Sequence, residues 1–344
     1  MNKSLISSAL LGIFSSLCNI TLAQSNAQSN VAIYGILDAG IAYDNANSAG
    51  SIIAVKSGQE SSSRLGFKGS EDLGDDLKAL FVVEAGIVLN TGVSDQGGRL
   101  FGRQSYVGLG SDWGTITVGR QYTPIYLAYG AIDPFGNNSA GDINTLFGSD
   151  YNFLGNHKRF DNAVVYTSAP NSLGLNASVA YSFGGQAGDT SAQSQAGLSF
   201  GYADGKTKII YAYHEANKDL PPVDGDTYKS HFLGATYDFS IVKTHIAFDQ
   251  TTQGDGFKTQ SYLLGATIPF GKHALFGDYT FRENKVTPDA NTNQFAMGYN
   301  YSLSKRVNLY TIFSYLKNDV NSKVKTDELG SNVTTVQTGI RYAF

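Results

Sequence analysis

The sequence predicts an all-β fold, a 16-stranded antiparallel transmembrane β-barrel with one long loop folded into its lumen. Segments of about ten residues alternate apolar and polar side chains, as strands with one apolar and one polar face do. The connections between these segments alternate between short and long, which is typical of barrels whose short turns lie on one side of a membrane. One long connection also carries enough aromatic residues to pack inside the barrel rather than remain disordered.

The N-terminus has the pattern of a secretory signal peptide over residues 1–23, which leaves a barrel domain over residues 24–344. Lys3 supplies the positive charge, and a short apolar core runs from Leu5 to Leu17. The small residues of Thr21–Ala23 predict signal cleavage at the end of that triplet. The apolar run is too short and too rich in serine for a membrane-spanning helix, so export of the remaining chain is expected.

Composition excludes several other classes of protein. Cys18 is the only cysteine, so the mature chain is expected to contain no disulfide and no thiolate metal site. Removing Lys3 from the 25 basic residues leaves 24 against 29 acidic ones, and the net charge of −4 becomes −5. A mildly acidic chain without a basic block is not expected to bind nucleic acid. The 39 glycines, 21 tyrosines and 20 phenylalanines favour an all-β protein with many tight turns.

The first segment, Val31–Ile41, shows the alternation. Most of its valine, isoleucine and leucine side chains fall on one face, and Tyr34 and Asp38 fall on the other. Leu77–Gly86 repeats the pattern with Glu84 on its polar face. Later segments with the same alternation are Ala163–Thr167, Leu175–Phe183, Lys208–His214, Phe232–Asp238, Thr244–Asp249, Tyr262–Ile268, Ala274–Phe281, Phe295–Leu303, Val307–Leu316 and Val333–Phe344.

Short and long connections follow one another along the chain. Ser111–Gly114 and Phe270–Lys272 are short turns, whereas Gly184–Ser194 and Lys317–Asn332 are long and polar. We count eight long connections and seven short ones, which join 16 strands.

Two architectures accept such a chain. A soluble sandwich or propeller buries the apolar face in a core, whereas a transmembrane barrel turns that face to lipid. The segments are longer than strands of soluble sheets, aromatic residues cluster near their ends, and no repeat of fixed period is present. These observations favour the barrel.

The longest connection, Tyr122–Asn156, breaks the two-residue period. Asp133-Pro134 and Gly136-Asn137 interrupt any regular strand. A connection of this length in a compact protein is either functional or disordered, and disordered segments are poor in aromatic residues. This one holds Tyr126, Tyr129, Phe135, Phe147, Tyr151 and Phe153. We therefore expect an ordered loop folded into the interior of the barrel.

Several segments resemble the trimeric general porins of Gram-negative outer membranes, specifically the β-proteobacterial and neisserial type. The matching segments are VAIYGILDAG, SSRLGFKGSEDLGDDLKALFVVEAG, GRLFGRQSYVGLGSDWGTITVGRQYTP, RFDNAVVYTS, LSKRVNLY and TGIRYAF. They span Val31 to Phe344 and are densest between Ser63 and Thr167. The resemblance implies a 16-stranded barrel, a homotrimer in outer-membrane lipid, and a third long loop that constricts the channel.

The resemblance also implies a pore constriction. In this family, arginines corresponding to Arg64, Arg103 and Arg159 line the wall, and acidic residues corresponding to Glu84 and Asp133 face them. The alternation around Arg103 is too weak to place its side chain independently. Three positive charges against two negative ones predict a weak preference for anions.

Alternation supports part of this assignment without the resemblance. Arg64 and Glu84 fall on the polar faces of their segments. Arg159 shares its phase with Val165 and lies opposite Phe160, so it is predicted to point inward. Porins of this type often have a lysine where Val165 stands, so one positive charge of the lumen is missing here.

The C-terminus forms a last strand with one apolar face. Ile340, Tyr342 and Phe344 fall on that face, and Arg341 falls on the other. The resemblance implies that the terminal aromatic residue is the signal that the barrel-assembly machinery recognises. The alternative is that Phe344 simply ends a lipid-facing strand.

Passive diffusion of ions and small hydrophilic solutes through an outer-membrane channel is the function that the sequence favours. A substrate-selective channel, a barrel adhesin or receptor, and an outer-membrane enzyme remain alternatives. The five histidines show no metal-ligand spacing, and no G-x-S-x-G segment is present. We therefore expect neither catalytic residues nor a metal or other cofactor.

Overall fold

The computed structural model describes residues 30–46, 48–148, 157–217, 227–254 and 256–344. The expected signal peptide lies outside these residues. The strands are β1 (Asn30–Asp44), β2 (Ile52–Ser57), β3 (Arg64–Gly74), β4 (Leu77–Val88), β5 (Val93–Ser94), β6 (Gln104–Ser111), β7 (Gly114–Tyr122), β8 (Arg159–Ser168), β9 (Leu175–Ser182), β10 (Gln195–Ala203), β11 (Thr207–Asn217), β12 (Thr227–Asp238), β13 (Lys243–Gln253), β14 (Lys258–Phe270), β15 (His273–Asn284), β16 (Thr292–Ser302), β17 (Val307–Asn318) and β18 (Val333–Ala343). The helical elements are the turn α1 (Asp95–Gly98), the helix α2 (Pro124–Ile132) and a 3₁₀ turn (Ile143–Thr145).

The strands form one closed antiparallel barrel. Each barrel strand pairs with its neighbours in the chain, and β1 pairs with β18 to complete the ring. Closure leaves no unpaired sheet edge, which is what a hydrocarbon environment requires of a sheet. The prediction of an all-β barrel is confirmed.

The number of barrel strands is 16, as the alternation predicts. The pairing of β1 shows why the 18 strand segments give this number, because β2 pairs with one half of β1 and β3 with the other half. These two segments together occupy one strand position, interrupted by residues 58–63, which turn into the lumen. The two-residue β5 pairs only with the end of β4 and is not part of the ring.

Apolar side chains cover the outside of the barrel. Ile33 is 64% exposed and Leu233 is 51% exposed, and both lie on outward faces. At the C-terminus, Tyr342 and Phe344 are exposed, whereas the Arg341 guanidinium reaches inward and donates to Ser61 Oγ at 3.0 Å. The predicted division of faces is therefore confirmed for the last strand.

The described part of the third long loop, residues 123–148, enters the lumen and packs against its wall. It starts with α2, which the sequence analysis did not predict. Thr123 Oγ1 accepts a hydrogen bond from the backbone N–H of Tyr126 at 3.2 Å, and Pro124 fixes the first helical residue. Neither described helix is long and apolar enough to cross a membrane.

One side of this loop is apolar and buried against the barrel. Its apolar side chains meet inward-facing side chains of β11–β14, which are apolar here although they face the lumen. The cluster consists of Ile125, Ala128, Tyr129, Ile132, Ile143, Leu146 and Phe147 from the loop, and Ala212, Phe232, Ala247 and Leu263 from the barrel wall, with Leu316 and Val333 at its edge. The prediction of an ordered, infolded loop is confirmed, although Tyr151 and Phe153 lie outside the described residues.

The far part of the loop reaches the strands that close the barrel. Phe135 packs against Phe276 of β15 with ring centroids 5.0 Å apart. The backbone N–H of Ala140 donates to Gln337 Oε1 of β18 at 2.9 Å. The loop therefore spans the lumen from β11 to β18.

Candidate pore constriction

Glu84 and Arg103 form a buried ion pair on the wall that the loop does not cover. Arg103 Nε donates to Glu84 Oε1 at 2.7 Å, and the two side chains are 3% and 4% exposed. The Tyr34 hydroxyl donates to the other carboxylate oxygen at 2.9 Å. The inner faces of β1 and β4 place Tyr34 and Glu84 next to each other, so the charge of this carboxylate is balanced locally.

Tyr122 holds two arginines at the end of β7. Its hydroxyl accepts hydrogen bonds from Arg103 Nη2 at 2.5 Å and from Arg159 Nη2 at 3.1 Å. The guanidinium carbons lie 5.9 and 4.7 Å from the centre of its ring, within range of cation–π attraction. The same ring stacks on Tyr126 of α2 at 5.2 Å, so the arginines are fixed relative to the loop.

Arg64 lies on the inner face of β3. It is paired in register with Gly86, two residues from Glu84 on β4. Within the described parts of the chain, Arg64 Nε has no hydrogen-bond partner although it is buried, and no ion pair holds the guanidinium. Arg103 is close enough to repel it. Its charge is therefore directed to the lumen.

Arg159 lies beside Arg103 and Tyr122, but the strand that carries it does not alternate as predicted. Its Nε donates to the carbonyl oxygen of Arg103 at 2.9 Å. The register shifts between the pairs Gly119–Ala163 and Gln121–Phe160, so β8 has one residue more than β7 here, a β-bulge at residues 161–162. Phe160 is consequently fully buried and packs against Val165 on the inner face. The prediction that Phe160 faces away from Val165 was wrong, because the bulge reverses the phase.

Asp133 lies at the end of α2 with its carboxylate directed into the loop. Oδ1 accepts from the backbone N–H of Phe135 at 3.0 Å, and Oδ2 accepts from those of Asn137 at 2.9 Å and Ile143 at 3.1 Å. Burial raises the pKa of Asp133 to about 7, with Asp142 adding to the rise and the three N–H groups opposing it. Among the described contacts, none joins Asp133 to the wall arginines. The structure shows it organising the loop.

Sequence reasoning missed a second infolded segment, residues 58–63. The Asp38 carboxylate, fully buried, accepts from three successive backbone N–H groups of this segment at 2.6 to 3.2 Å. The segment presents Glu60, which accepts from Asn300 Nδ2 at 2.5 Å and from Asn308 Nδ2 at 2.6 Å. Burial raises the pKa of Glu60 against the effect of these hydrogen bonds. The inner Asp38 on β1 was the only sequence signal for this segment.

Arg120 of β7 lies beside Arg159 but is paired with a different carboxylate. Its Nη1 contacts Asp161 Oδ1 at 2.5 Å, and its Nε donates to the carbonyl oxygen of Gly102 at 2.7 Å. Arg99 contacts the same carboxylate at 2.9 Å. Among the ion pairs that the structure describes, Arg99 and Arg120 are therefore paired with Asp161 and not with Glu84.

The chemistry available to the site is electrostatic. Fixed guanidinium groups line one wall, and their charge persists at any working pH because arginine does not lose its proton in proteins. Within the described ranges, no three His, Cys, Asp or Glu side chains group closely enough to hold a metal ion. Charges held at close quarters around a lumen select ions by sign.

Known proteins similar to this chain support the architecture. A family described as Gram-negative porin matches residues 14–321. Over its whole length the chain is 32% identical to an outer membrane porin protein from Bordetella pertussis and 31% identical to outer membrane porin protein 32 from Delftia acidovorans, with all of each relative covered. Among solved structures, the anion-selective porin from Comamonas acidovorans superposes with a TM-score of 0.82 at 30% identity over 92% of this chain and 100% of that one.

Proposed function

The chain belongs to the Gram-negative porin family of outer-membrane proteins, and from this premise we propose that it forms a water-filled channel for passive diffusion of ions and small hydrophilic solutes and is not an enzyme. One observation carries the proposal. The third loop packs its apolar side against β11–β14, and the opposite wall presents fixed arginines to the space that remains.

The narrowest part of this channel is lined by Arg64, Arg103 and Arg159 with Glu84. The ion pair at 2.7 Å balances Arg103 against Glu84, whereas no described ion pair holds the other two arginines. The lumen charge at this level is therefore positive, and the channel weakly prefers anions. The net negative charge of the mature chain does not reverse this, because charges in distant loops are screened over about 10 Å at 0.1 M salt.

Asp133, the remaining residue of the expected constriction, binds the loop backbone and, in the part of the chain that the structure describes, not the wall arginines. Its hydrogen bonds to the loop backbone support a role in holding the loop across the lumen. Its effect on ions is weakened because burial favours the protonated, neutral carboxyl.

The channel assembles as a homotrimer. The small residues of Val31–Gly40 in β1 allow close approach of neighbouring barrels, and β1 exposes Val31 and Ile33 on its outer face. We expect a trimer that resists SDS and dissociates on boiling. Unboiled protein that ran only as a monomer, and that crosslinking did not convert to trimer, would contradict this assembly.

Two segments direct the chain to its membrane. Residues 1–23 are removed after export, and Phe344 is recognised by the barrel-assembly machinery. Backbone hydrogen bonds of 3.1 Å in both directions between Phe344 and Gly35 join the terminus to β1 and seal the barrel. Deleting Phe344 should reduce outer-membrane yield without reducing synthesis. A normal yield would show that this residue is not the signal.

Single-channel recording in planar lipid bilayers tests the proposed function. Large ohmic current steps in KCl are expected from the purified protein. Steps blocked by one particular solute would indicate a substrate-selective channel, and a well-folded barrel without steps would indicate an adhesin, a receptor or an enzyme.

A further inference from the structure

A large cavity lies above the third loop on the side of the long connections. It is bounded by the loop, by the end of β15, and by the last long connection, residues 319–332, and its volume is about 730 Å³. Small-molecule sites in proteins typically have volumes of about 300–1,000 Å³. None of the constriction residues lines this cavity, so it is a separate place at the mouth of the channel.

The wall of this cavity is strongly basic. Its charged side chains are Lys158, Arg282, Lys323, Lys325 and Asp142, which gives a formal excess of three positive charges. The one carboxylate is occupied in part, since Asp142 Oδ1 accepts from the backbone N–H of Thr145 at 3.1 Å. His157 adds no charge, because burial holds its pKa well below its ordinary value.

The last long connection supplies two of these lysines by folding over the loop. Lys325 Nζ donates to the carbonyl oxygen of Ala140 at 3.1 Å and so ties the two loops together. Lys323 is exposed at the cavity wall, and among the described residues it forms no ion pair. Lys323 is therefore the cation most available to a ligand.

The uncharged part of the wall consists mostly of hydrogen-bonding groups. Hydroxyl and amide side chains come from Ser139, Asn144, Thr145, Asn284, Asn321 and Ser322. Aliphatic side chains come only from Ala290 and Val324. Such a wall matches a solute that carries many hydroxyl groups, because each hydroxyl both donates and accepts.

We propose that this cavity binds a small phosphorylated, hydroxyl-rich solute of the sugar phosphate class before it enters the constriction. A phosphate monoester carries close to two negative charges at neutral pH, which suits an excess of positive charge better than a monovalent anion does. Arginine binds phosphate oxygens with its planar fork, and lysines bind them as point charges. Inorganic phosphate alone would leave most of the cavity to water.

This site rests on the proposed channel and adds a property to it, namely saturable binding of a solute at the channel mouth. Its test does not depend on flux, because binding is measured at equilibrium on the purified, assembled full-length protein. Isothermal titration calorimetry at low ionic strength with glucose 6-phosphate is expected to show saturable binding. Inorganic phosphate should bind more weakly, and glucose should show no binding.

Substitution of Lys323 locates the site. K323Q should weaken glucose 6-phosphate binding by roughly threefold to tenfold, which corresponds to about 0.7–1.4 kcal/mol. K323R should restore it. K305Q is the matched control, since Lys305 is an exposed lysine on the short turn after β16, at the other end of the barrel.

Three results would overturn the proposal. These are the absence of saturable glucose 6-phosphate binding, equal binding of inorganic phosphate, and binding that K323Q leaves unchanged. Current steps in KCl, recorded on the same preparation, report separately on the channel proposed above. Normal steps without binding would remove this site and leave the channel intact.

Discussion

The arginine wall, formed by Arg64, Arg103 and Arg159, and the infolded loop lie on opposite sides of the lumen. They are held in place by different interactions. On the wall, charged groups are held by one another, as when Arg103 contacts Glu84 at 2.7 Å and Arg159 donates to the Tyr122 hydroxyl at 3.1 Å. On the loop, apolar side chains such as Phe147 are buried against the barrel. From this difference we propose that the loop sets the width of the passage and the wall sets the sign of the ions that pass.

On both sides, what a substitution costs depends on whether the side chain is packed or paired. Truncating a buried aromatic residue of the loop removes packing and leaves a cavity, which costs about 3–5 kcal/mol. Removing one partner of the buried pair leaves an uncompensated charge, which costs a similar amount of about 3–5 kcal/mol. Removing Arg64, which no described ion pair holds, should cost much less stability and change mainly the electrostatic potential.

Shortening the loop should give the largest change. Deleting residues 137–146 removes the part that crosses to β15–β18 and supplies no barrel strand. We expect conductance in planar bilayers to increase severalfold while the barrel remains folded, since long loops cost the fold little entropy. A deletion of equal length in another long connection, residues 184–193, is the control and should change conductance little. Unchanged conductance after the first deletion would place the loop outside the ion path.

Disrupting the apolar contact between the loop and β11–β14 should widen the channel without removing residues. A Cβ on Gly234 of β12 would lie 2.6 Å from Ile132 Cγ1 of the loop and 2.7 Å from Phe232 Cζ. G234L should therefore displace the loop, at a cost of about 1–3 kcal/mol for overpacking, and raise both conductance and current noise. The control A235L changes the next residue, which faces outward. Equal currents from both variants would show that packing does not hold the loop.

The loop should also respond to pH through Asp133. Its pKa is raised to about 7, so the folded state binds this proton more tightly than the unfolded state does. The stabilisation is complete below the ordinary carboxyl pKa of about 4 and is lost as pH rises to about 7. D133N should reduce the difference in thermal stability between pH 4 and pH 8. It should also lower stability at pH 4 by about 1–3 kcal/mol, because a backbone N–H loses its acceptor.

The matched control for this prediction is D289N, which changes an exposed aspartate in the connection between β15 and β16. It should preserve the pH dependence of the unmodified protein. A D133N variant whose melting temperature changes with pH as much as that of the control would show that Asp133 is ionised throughout this range.

Glu60 should give the smallest effect, a change of selectivity with pH. Its pKa lies above the ordinary value because of burial, so it loses its negative charge at a higher pH than an exposed glutamate does as the solution is acidified. Anion preference should therefore rise slightly as pH falls through that range. E60Q should show the higher preference already at neutral pH, with no further rise. A pH profile identical to that of the unmodified protein would remove Glu60 from the ion path.

The barrel could be predicted from the sequence because alternation has a period of two and each strand repeats it. The placement of Glu84 follows from the same rule, as its side chain lies on the inner face of β4. The rule fails where a bulge adds a residue, and Phe160 therefore faces inward. The alternation rule also does not predict which side chains accept hydrogen bonds from backbone N–H groups in loops. Those groups direct Asp133 into the loop, and they pair with Asp38 in residues 58–63.

Reversal potentials in a KCl gradient, measured on the protein and on the R64Q/R159Q variant, test most directly whether the arginine wall sets the sign of the current. We predict a weak anion preference in the unmodified protein and a shift toward cations in the variant. R306Q is the matched control, since Arg306 is an exposed arginine on the short turn between β16 and β17, and it should leave the potential unchanged. Cation selectivity in the unmodified protein that R64Q/R159Q does not alter would contradict the account.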